Sequence, residues 1–144
     1  MGFGVRVIGS LLLDTCALIW ISQADPIDEA AKAKLDALWR AGAAPQVSPI
    51  SAWEIGLLVA RGRLSLTMPP LRWWELSVDR IGLEVAPMPP GLLIASTRLP
   101  GTPPNDPADR IIAATARESG LRVMTRDGKL LSYGQAGHLD TIVC

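Results

Sequence analysis

Short apolar runs alternate with longer stretches of mixed polarity along most of this chain. Each short run is bounded by loop-forming residues, a pattern typical of strands that are buried on both faces. The longer stretches repeat their apolar residues every three to four positions, as one face of a helix does. The predicted strands cover residues 11–13, 45–48, 83–86, 122–125 and, as a candidate fifth strand, 139–143.

Helical spacing is found in the segments between these strands. Because strands and helices alternate throughout, the predicted fold class is α/β, with a central, mostly parallel sheet of four to five strands flanked by helices. The predicted helices cover residues 17–22, 28–40, 49–60, 70–81, 90–98 and 106–119.

The length of 144 residues is that of one domain and is enough to bury a core without disulfides. We therefore expect a single domain over residues 1–144, with residues 1–9 as an N-terminal extension or the lead-in to the first strand. The apolar stretch at residues 5–13 is followed by Asp14 and has no cleavage-site pattern, so it is not read as a signal peptide. It is also too short to cross a bilayer, and no membrane association is expected.

The composition excludes several kinds of site. The formal net charge is zero, although eleven arginines outnumber three lysines. Cys16 and Cys144 lie far apart without zinc-ligand spacing, which makes a zinc site improbable and favours a reduced, cytoplasmic setting. His138 is the single histidine, which argues against a Ser–His–Asp triad or a histidine-rich metal site.

Four acids stand where the ends of strands or helices meet loops. Asp14 closes the first strand, and Asp127 directly follows the fourth. Glu54 is placed in the first turn of the helix after the second strand, and Asp109 in the first turn of the long helix before the fourth. Because the carboxyl ends of parallel strands form one edge where ligands bind, these acids are expected to converge there.

Each acid also has a purely structural explanation. Asp14 suits the cap of the helix that follows it, and Glu54 fits the last position of a capping box. Asp109 lies where a negative charge favours the helix dipole, and Asp127 opens an ordinary turn with the glycine after it. Any one of these acids taken alone is better explained structurally.

The four acids together favour a metal site. Like charges gathered at one edge repel and raise one another's pKa, and a divalent cation relieves that repulsion. An all-oxygen ligand set selects hard ions, so Mg²⁺ or Mn²⁺ is expected rather than zinc.

The segments that carry the acids resemble those of a known family. Residues 11–20, 48–55, 105–116 and 123–127 resemble, in order and spacing, the four acid-bearing motifs of PIN-domain proteins. Within that family the pattern is similar to the VapC-type toxins of toxin–antitoxin pairs, and the resemblance covers roughly residues 10–143.

The resemblance implies a PIN-like fold and a Mg²⁺- or Mn²⁺-dependent endoribonuclease. It implies RNA as the substrate, a cognate antitoxin as a partner and a homodimer. A housekeeping PIN nuclease of RNA processing and an inactive PIN module that binds RNA or protein are the alternatives. The metal-binding and catalytic acids implied by the resemblance are Asp14, Glu54, Asp109 and Asp127.

Neighbouring polar residues are assigned supporting roles. Thr15 and Thr125 are expected to hydrogen-bond the carboxylates or a metal-bound water. Asp106 is expected to cap its helix, and a direct metal role for it is the weaker alternative. Arg110 and Arg126 flank the acids and could contact RNA phosphates or bind a neighbouring carboxylate. Arg61 and Arg63 could also contact RNA phosphates, although a solvated turn is the favoured interpretation.

Five tryptophans are many for this length. Trp39 and Trp53 are predicted to lie in the core. Trp73 and Trp74 cannot both face inward, since adjacent helix positions lie about 100° apart, so one of them is expected at a partner surface.

Overall fold

The computed structural model describes residues 10–144, and the predicted lead-in at residues 1–9 lies outside the described residues. The strands are β1 (Leu11–Leu13), β2 (Gln46–Val47), β3 (Glu84–Val85), β4 (Arg122–Thr125) and β5 (Thr141–Val143). The helices are α1 (Thr15–Ser22), α2 (Glu29–Arg40), α3 (Pro49–Ala60), α4 (Pro70–Ile81), α5 (Pro90–Ala95), α6 (Pro107–Ser119) and α7 (Gly128–Gln135).

The five strands form one parallel sheet in the order β3-β2-β1-β4-β5. The register pairs Leu13 of β1 with Val47 on one side and with Met124 on the other. The next residues along β1 and β4 are Asp14 and Thr125, which therefore lie side by side at the carboxyl edge of the sheet. This confirms the predicted α/β class and the parallel sheet.

Helices cover both faces of the sheet because β1 is apolar at every position. Leu11 and Leu13 pack with residues of α1 to α4, including Leu18 and Leu35. Leu12 points to the other face and packs against residues of α6 and α7. This alternation gives a three-layer arrangement in which the sheet is buried and its carboxyl edge remains free for a site.

Helix α7 was missed by the sequence analysis. The run from Gly128 contains Ser132 and Gly134, residues that lower helix propensity. Burial of Leu130 and Tyr133 stabilises the helix instead. Asp127 is therefore a helix cap and does not open a simple turn.

Three other predicted helix features differ from the structure. Helix α1 begins at Thr15, two residues before the predicted start, and α5 ends at Ala95 instead of residue 98. The N-cap of α3 is Ser48. Glu54 is thus the sixth residue of α3, in its second turn, and the predicted capping box is wrong.

The placement of two tryptophans in the core is also wrong. Trp53 is 55% exposed and Trp39 is 39% exposed. Helix α3 buries Ser51 and Ile55 instead, and both lie about 200° around the helix from Trp53. On α4, Trp73 is buried and Trp74 is partly buried against the same core, so neither side chain is turned fully to solvent.

Among the described residues, no helix is long and apolar enough to span a membrane.

Candidate functional site

Asp14 is the most buried of the four acids, with 4% of its surface exposed. It caps α1 by accepting a 2.7 Å hydrogen bond at Oδ1 from the backbone N–H of Ala17. Its other oxygen, Oδ2, accepts a 2.5 Å hydrogen bond from the hydroxyl of Thr125 on the neighbouring strand. The carboxylate is therefore held rigidly at the carboxyl edge of the sheet.

Thr125 connects Asp14 to Asp127. Its hydroxyl oxygen accepts a 2.8 Å hydrogen bond from the backbone N–H of Asp127 while its proton is donated to Asp14. Asp127 in turn caps α7, accepting at Oδ2 a 2.9 Å hydrogen bond from the N–H of Leu130. One fully buried hydroxyl thus fixes two of the predicted acids relative to each other.

Glu54 is held by Thr15, the residue after Asp14. The Thr15 hydroxyl donates to Glu54 Oε1. It also shares a 2.9 Å hydrogen bond with the hydroxyl of Ser51, which is fully buried. Ser51 was not predicted as a site residue, although a serine one helical turn before Glu54 on the same face could have indicated it.

Asp109 lies in the first turn of α6, as predicted, and Asp106 is the cap of that helix. Asp106 accepts hydrogen bonds from the backbone N–H groups of Ala108, at 2.8 Å, and Asp109, at 3.4 Å. Within residues 10–144, the carboxylate of Asp109 itself takes part in none of the hydrogen bonds found. Its charge is therefore the least compensated of the four.

The electrostatics show that the acids lie close together. Burial, followed by the charges of Asp106, Asp127, Glu54 and Asp14, raises the pKa of Asp109 from 3.8 to about 7. Burial also raises the pKa of Asp14, although the hydrogen bonds from Thr125 and Ala17 oppose the change. These effects are those expected where like charges converge in a partly desolvated site.

The pKa values of Glu54 and Cys16 point to the same cluster. Burial is again the main factor that raises the pKa of Glu54, and the Thr15 hydroxyl opposes it. Partial burial and the charges of Asp14, Glu54, Asp109 and Asp127 raise the pKa of the Cys16 thiol to about 11. Cys16 is thus a neighbour of all four acids that the sequence analysis did not assign to the site.

The donor chemistry of this cluster fits a hard divalent cation. Every side-chain donor of the four acids is a carboxylate oxygen. In the part of the chain that the structure describes, no three His, Cys, Asp or Glu side chains stand close enough to hold one ion together. Mg²⁺ keeps several of its waters and binds through one or two carboxylates, so it does not need a closed protein cage.

The arginines near the acids make structural contacts. Arg110 donates a 2.7 Å hydrogen bond from Nε to the carbonyl of Pro104. Arg126 donates to the carbonyls of Pro26 and Cys144, both at 2.9 Å, and its guanidinium lies 4.0 Å from the ring centre of Trp20. Within residues 10–144, no arginine or lysine forms an ion pair with any of the four acids.

A cavity at the opposite edge of the sheet lies away from the acids. It has a volume of about 530 Å³ and is lined by the end of α6 and the segment before β5, including Arg117 and His138. These segments lead into the amino ends of β4 and β5, at the opposite edge of the sheet. The cavity is therefore not part of the acid cluster.

Comparison with known proteins gives the class to which this fold and cluster belong. Residues 11–135 match the family described as PIN domain, and the chain belongs to that family. A curated relative, Ribonuclease VapC22 of Mycobacterium tuberculosis (strain ATCC 25618 / H37Rv), is 34% identical over 87 residues. That match covers 60% of this chain and 65% of the relative, so the chain spans just under two thirds of the relative's length.

Solved structures support the fold. VapBC2 from Rickettsia felis, bound to a promoter DNA fragment, matches with a TM-score of 0.66 and 14% identity, covering 92% of this chain and 97% of that chain. DNA-bound VapBC from Salmonella typhimurium gives a TM-score of 0.57 at 20% identity, covering 94% and 98%. FitAcB from Neisseria gonorrhoeae gives 0.54 at 24% identity, covering 92% and 96%. At these identities the likeness establishes the PIN fold.

Proposed function

We propose that this protein is a divalent-metal-dependent endoribonuclease that hydrolyses RNA phosphodiester bonds and acts as the toxin of a type II toxin–antitoxin pair. The observation that carries the proposal is the hydrogen-bonded convergence of acids from separate segments, since Thr125 joins Asp14 to Asp127 and Thr15 binds Glu54. Burial, with the charges of the neighbouring acids, also raises the pKa of Asp109 to about 7. Membership of the PIN family and the 34% identity to a protein named as a ribonuclease support the proposal.

In this proposal Asp14, Glu54, Asp109 and Asp127 hold a hydrated Mg²⁺ or Mn²⁺, with one or two of the carboxylates on the ion and the others on its waters. When bound, such an ion lowers the pKa of a water and stabilises negative charge that develops on phosphate oxygens. The chain's own contribution is to hold the carboxylates in place. Thr125 orients Asp14, and the Thr15 hydroxyl orients Glu54.

The capping acid Asp106 stays outside the proposed ligand set. Its Oδ1 accepts from two backbone N–H groups at the start of α6, so its proposed role is to fix the turn that carries Asp109. The guanidinium groups of Arg110 and Arg126 donate hydrogen bonds to backbone carbonyl oxygens. The exposed residues Arg61 and Arg63 are therefore the better placed of the four arginines for RNA phosphates.

The proposed partners follow from the relatives. Two of the structural matches are VapBC assemblies bound to DNA, so we propose a cognate antitoxin that binds this chain. A homodimer and a cytoplasmic location belong to the same proposal. The free state of Cys16 and Cys144 agrees with a reducing compartment.

Cleavage of RNA under defined metal conditions tests the proposal. Purified protein is incubated with structured and messenger RNAs in Mg²⁺, in Mn²⁺ or in EDTA, and the products are mapped. We expect cleavage that requires the divalent ion. Asp14→Asn and Asp109→Asn should each lower the rate by at least about 100-fold, since loss of residues one step further from a metal already costs roughly 10–100-fold.

The matched control is Asp79→Asn, which removes an exposed carboxylate of α4 away from the cluster and should cut RNA like the wild type. Thermal unfolding gives a readout that is independent of activity, because an ion that binds the folded state raises its melting temperature. If Mn²⁺ does not stabilise the wild type and no RNA is cut with any divalent ion, a PIN module that only binds RNA or protein is favoured. If both acid variants cut as fast as the wild type, the assigned site is wrong.

A further inference from the structure

A groove of about 360 Å³ runs from the acid cluster along the outer side of α3. Its volume falls within the range of about 300–1,000 Å³ that is usual for clefts that bind small ligands. Helix α3, the turn after it and the start of α6 form its walls. The lining residues that matter here are Trp53, Glu54, Leu57, Arg61, Arg63 and Asp106.

The outward position of Trp53 is fixed by the packing of its helix. Ser51 and Ile55 are 0% and 1% exposed, which anchors the opposite side of α3 in the core. Trp53 lies two residues from each of them, about 200° around the helix, and is 55% exposed. A helix anchored in the core therefore presents the indole of Trp53 to solvent at the wall of the groove.

The groove has opposite charges at its two ends. Trp53, Leu57 and Arg61 are spaced by four residues and follow one stripe of the helix. Arg61 and Arg63 are exposed, and in the described part of the chain neither forms an ion pair. Glu54, one of the four acids proposed to hold the ion, lines the other end, about 10 Å along the axis from Arg61 at 1.5 Å per residue.

We infer that this groove binds the unpaired nucleotide next to the scissile RNA phosphodiester, with its base stacked on Trp53 and its backbone phosphates bound by Arg61 and Arg63. This inference rests on the proposed ribonuclease activity and names how the substrate is held. Aromatic platforms beside basic groups are how proteins bind single-stranded RNA, and stacking tolerates any base. Arg61 and Arg63 can bind a polyanion by their charge. Because Glu54 lines the same groove, an RNA bound there lies next to the acid cluster.

Binding of a labelled RNA tests the inference. The probe is a 5′-fluorescein single-stranded RNA of mixed sequence, measured by anisotropy in Mg²⁺ with Asp109→Asn as the parent, in order to slow cleavage. Trp53→Ala should weaken binding by about 5- to 150-fold, which is 1–3 kcal/mol of stacking converted at 1.4 kcal/mol per tenfold. Trp53→Phe keeps an aromatic ring and should restore most of the affinity.

The salt dependence separates stacking from phosphate binding. Affinity for RNA falls as salt rises, and each phosphate contact to a single strand contributes roughly 0.7 to the steepness of that fall on logarithmic axes. The double variant Arg61→Gln, Arg63→Gln should therefore make the slope shallower by about 1.4. Trp53→Ala should leave that slope unchanged. Trp39→Ala removes a second exposed tryptophan outside the groove and should bind RNA like the parent. Thermal melts confirm that each variant is folded.

The outcomes distinguish this inference from the activity on which it rests. If the wild type cuts RNA, Trp53→Ala in the wild-type background cuts as fast, and Trp53→Ala in the Asp109→Asn background binds RNA as tightly as Asp109→Asn alone, the inference about the groove is wrong and the activity stands. If Trp53→Ala changes only the mass measured by light scattering, the groove is a contact between copies of the chain and the inference is wrong. If the wild type neither binds nor cuts RNA, both proposals fail.

Discussion

Neutralising Asp109 should stabilise the metal-free protein at and above neutral pH. The folded state holds the proton of Asp109 more tightly than the unfolded state does, because burial and nearby negative charges raise its pKa from 3.8 to about 7. Ionisation of Asp109 therefore does not affect the free energy of unfolding below pH 3.8. It lowers that free energy as the pH rises, and the decrease is complete above about pH 7. Asp109→Asn carries no charge at any pH and should escape this decrease.

The size of the effect follows from the difference between the two pKa values. At about 1.36 kcal/mol per pH unit, the rise from 3.8 to about 7 would correspond to about 4 kcal/mol. Asp109 is partly exposed, and solvent screens the repulsion, so we expect about 1–2 kcal/mol. For a chain of this length that corresponds to an increase in melting temperature of roughly 3–6 °C.

Thermal unfolding followed by circular dichroism, in EDTA between pH 4 and pH 8.5, measures this effect. The advantage of Asp109→Asn over the wild type should be small at pH 4 and full at pH 8. Asp140→Asn is the control, because Asp140 is mostly exposed and forms a 3.1 Å ion pair with Arg122, so its loss should not stabilise the protein. A variant of Asp109 that melts below the wild type at pH 8 without metal would refute the idea of uncompensated repulsion.

Two further substitutions test particular contacts. Thr125→Val removes the hydroxyl that donates to Asp14 and should lower the free energy of unfolding in urea by about 1–3 kcal/mol. Thr125→Ser keeps a hydroxyl and should retain most of that stability. Equal stability of the wild type and both variants would contradict the role of this hydrogen bond. Gly101→Ala places a Cβ against the His138 ring at φ +69°, and should lose about 1–3 kcal/mol beyond the roughly 1–2 kcal/mol expected for Gly42→Ala, whose φ is +73° in open space. Equal losses in urea unfolding for the two glycine variants would show that the ring moves aside easily.

The sheet could be predicted from the sequence because its signals are local. The run of leucines in β1 is continuous, and Val123 and Met124 form the apolar centre of β4, as is typical of strands buried on both faces. The order of chain segments then places Asp14 and Asp127 at one edge whichever helices lie between them. Helix α7 escaped prediction because its stability comes from burial of Leu130 and Tyr133, which is a tertiary effect.

The side-chain contacts of the site were harder to predict. A serine three residues before Glu54 reads as a capping box, but Ser48 begins the helix one turn earlier and Pro49 occupies its first position. Glu54 consequently points to Thr15, which is distant in sequence. The exposure of Trp53 had the same origin, since a small buried Ser51 occupies the position facing the core that the large apolar residue was expected to fill.

Structural and chemical roles coincide in this cluster. Asp14 and Asp127 each use one oxygen to accept from the first turn of a helix, at Oδ1 and Oδ2 respectively. The positive ends of α1 and α7 therefore stabilise charges that would otherwise only repel. Among the described residues, the second oxygen of Asp127 takes part in no hydrogen bond found. Asp127 can thus anchor its helix and still present an oxygen to an ion, so its capping role does not compete with the metal site. Asp109 lacks such a partner and has the pKa of about 7, which makes it the acid whose charge depends most on a bound cation.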